Sequence, residues 1–301
     1  MKKSILIVGG TGFIGTNLLN KIKKNDFQIF CISTKLPIQK KKIKKVTYIK
    51  CDISKRNEVK KKLKRFNFDT VLNLGGYIDH SNTHKTMRSH FVGCKNLINF
   101  FKNKRIDNFI QIGSSLEYGK KRSPHKENYE KLIPRGNYGL AKLKATKYVL
   151  KQGLKHNIPF TILRLYQIYG PGQTIDRLIP MAIKSFLKNG NFKCSAGYQL
   201  RDFLFVDDLV RLLIIIIRKK KIQNQIFNIG SGKAISVKKL IKLIYKLIAK
   251  GKPEFGVIKM RKDEILKSIP SISKVKKQFN WKPKVSIKEG LKKTISYYEK
   301  V

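Results

Sequence analysis

Seven residues near the start, Gly9-Gly10-Thr11-Gly12-Phe13-Ile14-Gly15, limit what this chain can fold into more than any others. They follow directly on an apolar run, Ser4 to Val8, that reads as a buried strand. They open a stretch from Phe13 to Lys24 that reads as a helix. The first glycine allows a tight turn, the second lets backbone approach a pyrophosphate, and the third lets helix pack close on strand. The helix N-terminus then presents its N–H groups to the phosphates. A glycine triplet alone is weak evidence. At the first strand-to-helix turn of an alternating chain, it points to a dinucleotide-binding unit.

The alternation continues. Gln28–Ser33, Val46–Lys50, Thr70–Leu74, Asn108–Gly113 and Phe160–Leu165 read as strands, and Glu58–Phe66, His84–Lys102 and Tyr138–His156 as helices. Strand and helix in this rhythm imply an α/β fold with a doubly wound parallel sheet covered on both faces. After Gly170-Pro171-Gly172 the rhythm loosens into helices with short strands, including Leu178–Leu187, Leu209–Lys219 and Val237–Ala249. The chain therefore divides into a dinucleotide-binding domain, residues 1–170, and a smaller later domain, residues 171–301.

Composition narrows the class. Apolar residues are 41% of the 301, too many for a disordered chain. Cys31, Cys51, Cys94 and Cys194 lie far apart, which argues against a disulfide framework and for a reducing, cytoplasmic setting. The N-terminus turns glycine-rich too soon for a signal peptide. The longest apolar run, Leu209–Ile217, is interrupted by Arg211 and reads as a buried helix rather than a membrane span. His80 and His84 are four apart, but no third ligand lies at a recognisable spacing, so no metal site is expected.

The net charge is +49, from 67 basic and 18 acidic residues. Lysine supplies 55 of the positives and arginine 12, spread along the whole chain. A nucleic-acid reader would cluster arginines among aromatics. The expectation is no specific nucleic-acid partner, only salt-sensitive attraction to polyanions.

Further cofactor contacts are expected at strand ends. Asp52 and Ile53 follow the third strand, where a carboxylate can accept from an adenine amino group. Leu74, Gly75 and Gly76 end the fourth, where small residues leave room for a cofactor. The second strand ends in Ser33-Thr34-Lys35 instead of the acid that holds a ribose 2′-hydroxyl about 20 residues after the glycine turn. Two hydroxyls and an ammonium suit a 2′-phosphate. NADP(H) is the favoured cofactor, with NAD as the alternative.

Tyr138 and Lys142 stand one helical turn apart on one face. With twelve tyrosines in so lysine-rich a chain, about two such pairs would arise by chance, so position carries the weight. The pair opens a helix 24 residues beyond Ser114, where Ser114-Ser115 end a strand. A phenol of ordinary pKa ~10 is a poor base at neutral pH. A neighbouring ammonium favours the phenolate, and a serine hydroxyl would share the hydrogen bond to the reacting oxygen. Such a trio moves a proton while a nicotinamide cofactor moves a hydride.

These residues resemble the extended short-chain dehydrogenase/reductase family, the NAD(P)-dependent nucleotide-sugar epimerases, dehydratases and 4-keto-reductases. The likeness includes Ser114-Ser115-Leu116-Glu117-Tyr118-Gly119, Arg164 to Gly172, Arg201 to Asp208, Phe227 to Gly232 and Trp281-Lys282-Pro283. It implies a Rossmann domain, with part of the later chain returning to it, and an NDP-sugar in the cleft between the domains. It implies Tyr138 as acid/base, Lys142 as holder of the nicotinamide ribose, and Ser114, or Ser115 as fallback, beside them. It implies that Gln167 (in place of the usual asparagine), Arg201 and Arg261 contact the sugar nucleotide, Arg261 with Asp263 or Glu264. His90 replaces another usual asparagine. The resemblance further implies a homodimer built on the helices around His84–Lys102 and Tyr138–His156. Three functions follow in order: an NADP(H)-using 4-keto-sugar reductase, a 4-epimerase with tightly held NAD, and a noncatalytic Rossmann protein binding RNA or a protein partner.

Overall fold

The computed structural model describes residues 2–77, 79, 81–219, 224–260 and 264–301. The first half forms β1 (Lys3–Val8), α1 (Phe13–Lys21), β2 (Phe27–Ser33), β3 (Val46–Lys50), α2 (Arg56–Leu63), β4 (Thr70–Asn73), α3 (Thr83–Met87), α4 (Gly93–Phe101), β5 (Asn108–Ser114), α5 (Gly136–Lys155) and β6 (Phe160–Leu165). The later chain adds β7 (Gln167–Tyr169), α6 (Leu178–Leu187), β8 (Asn191–Cys194), β9 (Leu200–Phe205), α7 (Val206–Arg218), β10 (Gln225–Ile229), β11 (Ala234–Ser236), α8 (Val237–Ile248), β12 (Lys252–Phe255), β13 (Lys267–Ser268), α9 (Ser273–Phe279) and α10 (Ile287–Tyr298).

The central sheet has seven strands in the order β10-β6-β5-β4-β1-β2-β3. The pairs from β3 through β6 are all parallel. Strand order reverses between β1 and β4, and such a switch point is where open α/β sheets bind ligands. Ile5, Leu6 and Ile7 of β1 are fully buried, as a strand covered on both faces requires.

The chain forms two compact units. The first comprises Met1–Lys120, Tyr129–Leu165 and Leu212–Phe227, with a core that includes Leu6, Val71, Leu97, Phe101 and Phe109. The second comprises Lys121–Asn128, Tyr166–Arg211 and Asn228–Val301. In it β7, β11 and β13 each pair with β9, and β8 pairs with β12. Its core includes Tyr169, Ile183, Phe186, Phe205, Ile241 and Leu291.

One expected helix is divided. Across His84–Lys102 the chain forms α3, a π turn at Arg88–Val92, and then α4. Such turns are rare and often sit at functional sites. The apolar run Leu209–Ile217 lies in α7, with Leu209, Val210, Leu212, Leu213, Ile216 and Ile217 buried. Among the described residues, no helix is long and apolar enough to cross a membrane.

The C-terminal segment of the second unit is fastened by one acid. Asp208, 1% exposed, accepts from Lys284 N at 3.0 Å and Val285 N at 2.9 Å, and pairs with Arg211. Trp281 is buried and donates from Nε1 to the Asp208 carbonyl at 3.1 Å. Removing one member of a buried charged network costs about 3–5 kcal/mol. Asp208→Ala is expected to lose that much in urea denaturation, with Lys284–Val285 becoming the first backbone to exchange its amide hydrogens.

Candidate active site

The glycine loop closes at the switch point. Gly9 takes a φ of +73°, and a Cβ there would stand 3.0 Å from Gly75 Cα at the end of β4. A Cβ on Gly15 would meet Gly10 Cα at 2.5 Å, so α1 lies against the turn itself. Gly12 caps α1, with no side-chain cap and no acid in the first turn. Thr11 and Gly12 are exposed, and Phe13 and Ile14 are half-buried beside them. A helix N-terminus opening on a glycine cradle fits the pyrophosphate of a nicotinamide dinucleotide.

The remaining candidate cofactor residues lie in the same unit. Asp52 accepts from Ser54 N at 2.9 Å, and its own N–H donates to Glu58 at 2.9 Å. Ile53 is buried. Leu74 N donates to Val8 O at 3.0 Å, which ties the end of β4 to β1. Thr34 and Lys35 are exposed at the end of β2. The Ser33 hydroxyl donates to Lys35 O at 2.6 Å, so its proton is already committed.

The catalytic candidates meet above β5. α5 begins at Gly136 and places Tyr138 half-buried and Lys142 3% exposed. Lys142 Nζ donates to Ile112 O at 2.9 Å and lies 5.7 Å from the Tyr138 ring centroid. Gly139 faces the Leu116 carbonyl, where a Cβ would stand at 3.0 Å, and this brings the start of α5 onto the Ser114 turn. The Ser114 oxygen accepts from Leu116 N at 3.2 Å, and a hydroxyl that accepts can still donate its own O–H. Ser115 begins the short 3₁₀ turn Ser115–Tyr118 and is buried.

His90 lies in the π turn with its ring edge-on to Tyr138, centroids 4.9 Å apart. Its Nε2 is 3.1 Å from Tyr77 O, a carbonyl that can only accept, so Nε2 carries the proton. Gly76 makes room for the ring: a Cβ there would stand 2.0 Å from His90 Cε1.

Four further residues were given no role by the sequence. Asn73 Nδ2 donates to Gln111 Oε1 at 2.8 Å, and Gln111 Nε2 donates to Ile112 O, the carbonyl that Lys142 also uses. Glu117, fully buried, pairs with Arg164 at 2.9 Å. The scarcity of arginine was the signal for Arg164.

The candidate substrate residues lie in the second unit. Gln167 is exposed on β7, and Arg201 stands on the neighbouring β9. Arg201 pairs with Glu264 and donates to Leu200 O at 2.9 Å. Burial lowers the Arg201 pKa, and Glu264 opposes this. Asp202 is buried, its carboxyl pushed up to about 6, and it accepts from Ser231 N at 2.6 Å. Arg261, Asp263 and His80 lie outside the described residues.

Lys142 is pushed down to about 8, chiefly by burial, with Glu117 opposing. Below pH 8 both folded and unfolded states hold the proton, and the burial penalty is complete. Between about 8 and 10.5 the unfolded chain binds more protons, so this group's penalty shrinks as pH rises. Lys142→Met should therefore be more stable than the parent at pH 7, by up to about 3 kcal/mol, and the gap should close near pH 10 in paired urea titrations.

The chain is similar to known proteins over most of its length. A family model described as NAD dependent epimerase/dehydratase family matches residues 5–230. The chain is 26% identical to a "Putative UDP-glucose 4-epimerase" of Methanocaldococcus jannaschii, with 97% of each chain covered. It is 26% identical to the CDP-abequose synthase of Salmonella typhimurium, with 98% of each covered. A UDP-glucuronic acid 4-epimerase from Bacillus cereus, solved with UDP-glucuronic acid and NAD, superposes with a TM-score of 0.88 at 25% identity over 99% of both chains.

Proposed function

We propose that this chain, which belongs to the NAD dependent epimerase/dehydratase family, is an NADP(H)-using reductase of 4-keto nucleotide-diphospho-sugars. As an enzyme of that family it acts in nucleotide-sugar chemistry, and the noncatalytic alternative loses its ground. The observation that carries the reading is the exposed Thr34-Lys35 at the end of β2, where no acid stands. The Lys142 ammonium, held by Ile112 O and 5.7 Å from the Tyr138 ring centroid, supports the proton chemistry that both readings share.

The nicotinamide nucleotide, when bound, supplies the hydride. The protein's own residues move the proton. Lys142 commits one of its three N–H donors to Ile112 O, which leaves two for a ribose hydroxyl. Its ammonium stands 5.7 Å from the Tyr138 ring centroid, within reach to act on the same reacting centre. In the reductive direction the Tyr138 O–H gives its proton to the oxygen at C4, while the Ser114 O–H donates to the same oxygen. Gly76 and the Asn73–Gln111 pair shape the floor beside them. Arg201 is the cation suited to the substrate diphosphate, once it exchanges Glu264 for phosphate oxygens.

A second reading is a 4-epimerase with retained NAD, favoured by the likeness to two 4-epimerases over nearly the whole chain. A 4,6-dehydratase is disfavoured. That reaction needs an acid and a base at C5 and C6 beyond the tyrosine. Glu117, the carboxylate of the turn after Ser114, is already engaged by Arg164 and Ser114 N–H.

Tyr138→Phe should lower hydride transfer about 10²–10⁴-fold, the range for a general acid–base group, with nucleotide affinity nearly unchanged. More than a tenth of the parent's turnover would remove Tyr138 from the role. Nucleotide released on denaturation separates the two readings. The reductase reading expects none retained and tighter NADPH than NADH binding by titration, a preference that Lys35→Ala reduces by about 1–2 kcal/mol. Stoichiometric retained NAD would replace it with the epimerase reading.

A further inference from the structure

Beneath Ser114 lies a cluster that the proton relay does not use. Both Glu117 oxygens are committed: Oε1 accepts from Ser114 N at 2.8 Å, and Oε2 from Arg164 Nε at 2.9 Å. Arg164 is 2% exposed and lies over the Tyr118 ring at 4.6 Å. Gly113 supplies the room. A Cβ there would stand 2.5 Å from Glu117 Oε1 and 3.2 Å from Arg164 Cγ.

A turn can be finished more cheaply. An apolar residue at this position would pack without desolvating two charges. The buried carboxylate therefore needs a further reason, and the backbone around Gly113 gives one. The carbonyl before Gly113, that of Ile112, holds the Lys142 ammonium, and the N–H after it, that of Ser114, holds Glu117. The two charges flank one glycine at the end of β5.

We propose that Glu117 is a positioning residue for the hydride-transfer site, fixing the Ser114 backbone and setting its carboxylate opposite the Lys142 ammonium across Gly113. The proposal rests on the roles given above to Ser114, Tyr138 and Lys142. Burial lowers Lys142 to about 8, and Glu117 is the foremost group opposing it. The other groups facing the ammonium are the Cys94 thiol from α4 and the Tyr138 phenol one turn earlier on α5. Burial pushes Cys94 up to about 12, so it brings no charge near pH 8. Arg164 pairs with the carboxylate from β6 at 2.9 Å. Loss of the Glu117 charge lets burial act on Lys142 unopposed, so the ammonium deprotonates at lower pH.

The test uses Glu117→Gln, which keeps an acceptor for Ser114 N–H, and Glu117→Gln with Arg164→Met, which leaves no unpaired charge if the single variant fails to fold. Two readouts are taken on the full-length protein. One is the pH profile of kcat/KM for reduction of a 4-keto nucleotide-sugar. The other is the 13Cε NMR titration of Lys142, assigned by its absence in Lys142→Met. In either folded variant the alkaline limb and the Lys142 midpoint should both move down by about one pH unit, with KM for the sugar within about threefold. A midpoint that stays within about 0.3 units overturns the proposal. So does a drop in kcat that is equal at every pH, as a merely structural role would give. If the parent transfers no hydride to or from any sugar nucleotide, the proposed function fails, and the NMR midpoint alone decides this inference.

Discussion

The site depends on backbone meeting backbone at the switch point of the sheet. Gly9 faces Gly75 across β1 and β4, and Gly15 lies against Gly10. A methyl group at Gly15 would meet the Gly10 backbone, and one at Gly9 would press on Gly75 at the end of β4. Either change would move the N-terminus of α1 away from the strand ends. The anion-binding end of α1 and the small-residue end of β4 are thus one construction. β5 is the next strand over, and its carboxyl end carries Ser114 and the Ile112 carbonyl that holds Lys142.

In a chain with only 18 acids against 67 bases, where the acids are buried is informative. Among the described residues Glu117, Asp202 and Asp208 are buried, and each accepts backbone N–H groups at a joint in the chain. Glu117 holds Ser114, Asp202 holds Ser231, and Asp208 holds Lys284 and Val285. Glu117 and Asp208 add a paired arginine to their backbone donors, whereas Asp202 relies on backbone donors and burial pushes its carboxyl up to about 6. Surface lysines gain little from pairing, and the buried carboxylates do the specific work.

Much of this was legible because it depends on local rules. Apolar periodicity located β3, β6 and α6 to the residue, since each is a short run bounded by polar or glycine-rich chain. The Tyr138–Lys142 pair was legible because helical geometry alone puts four-apart residues on one face. What lies beneath was not legible. An extended Ser114–Glu117 segment would have turned Glu117 away, and only the 3₁₀ turn brings its carboxylate back under Ser114. The π turn that seats His90 against Tyr138 leaves no mark in a helical pattern. Glu264 could be assigned to Arg261 by nearness in sequence, yet it meets Arg201, 63 residues away. Pairings of that span are set by tertiary packing.

The two readings of the chemistry separate at the end of β2, since both use Tyr138 in the same way. A 2′-phosphate brings only acceptors and needs donors. Ser33 has already given its proton to Lys35 O, so recognition falls to the Thr34 hydroxyl and the Lys35 ammonium, both exposed. An exposed ammonium in water gains a modest interaction, and salt screens it over about 8 Å at physiological strength. A preference for NADP(H) built this way would be shallow and would weaken with salt. A reductase must release its oxidised cofactor every turnover, so a shallow hold there is compatible with the reaction. An epimerase that never releases NAD would need its grip elsewhere, on the pyrophosphate at α1 and the adenine beside Asp52. The retention measurement therefore reads the balance between these two ends of one cofactor site.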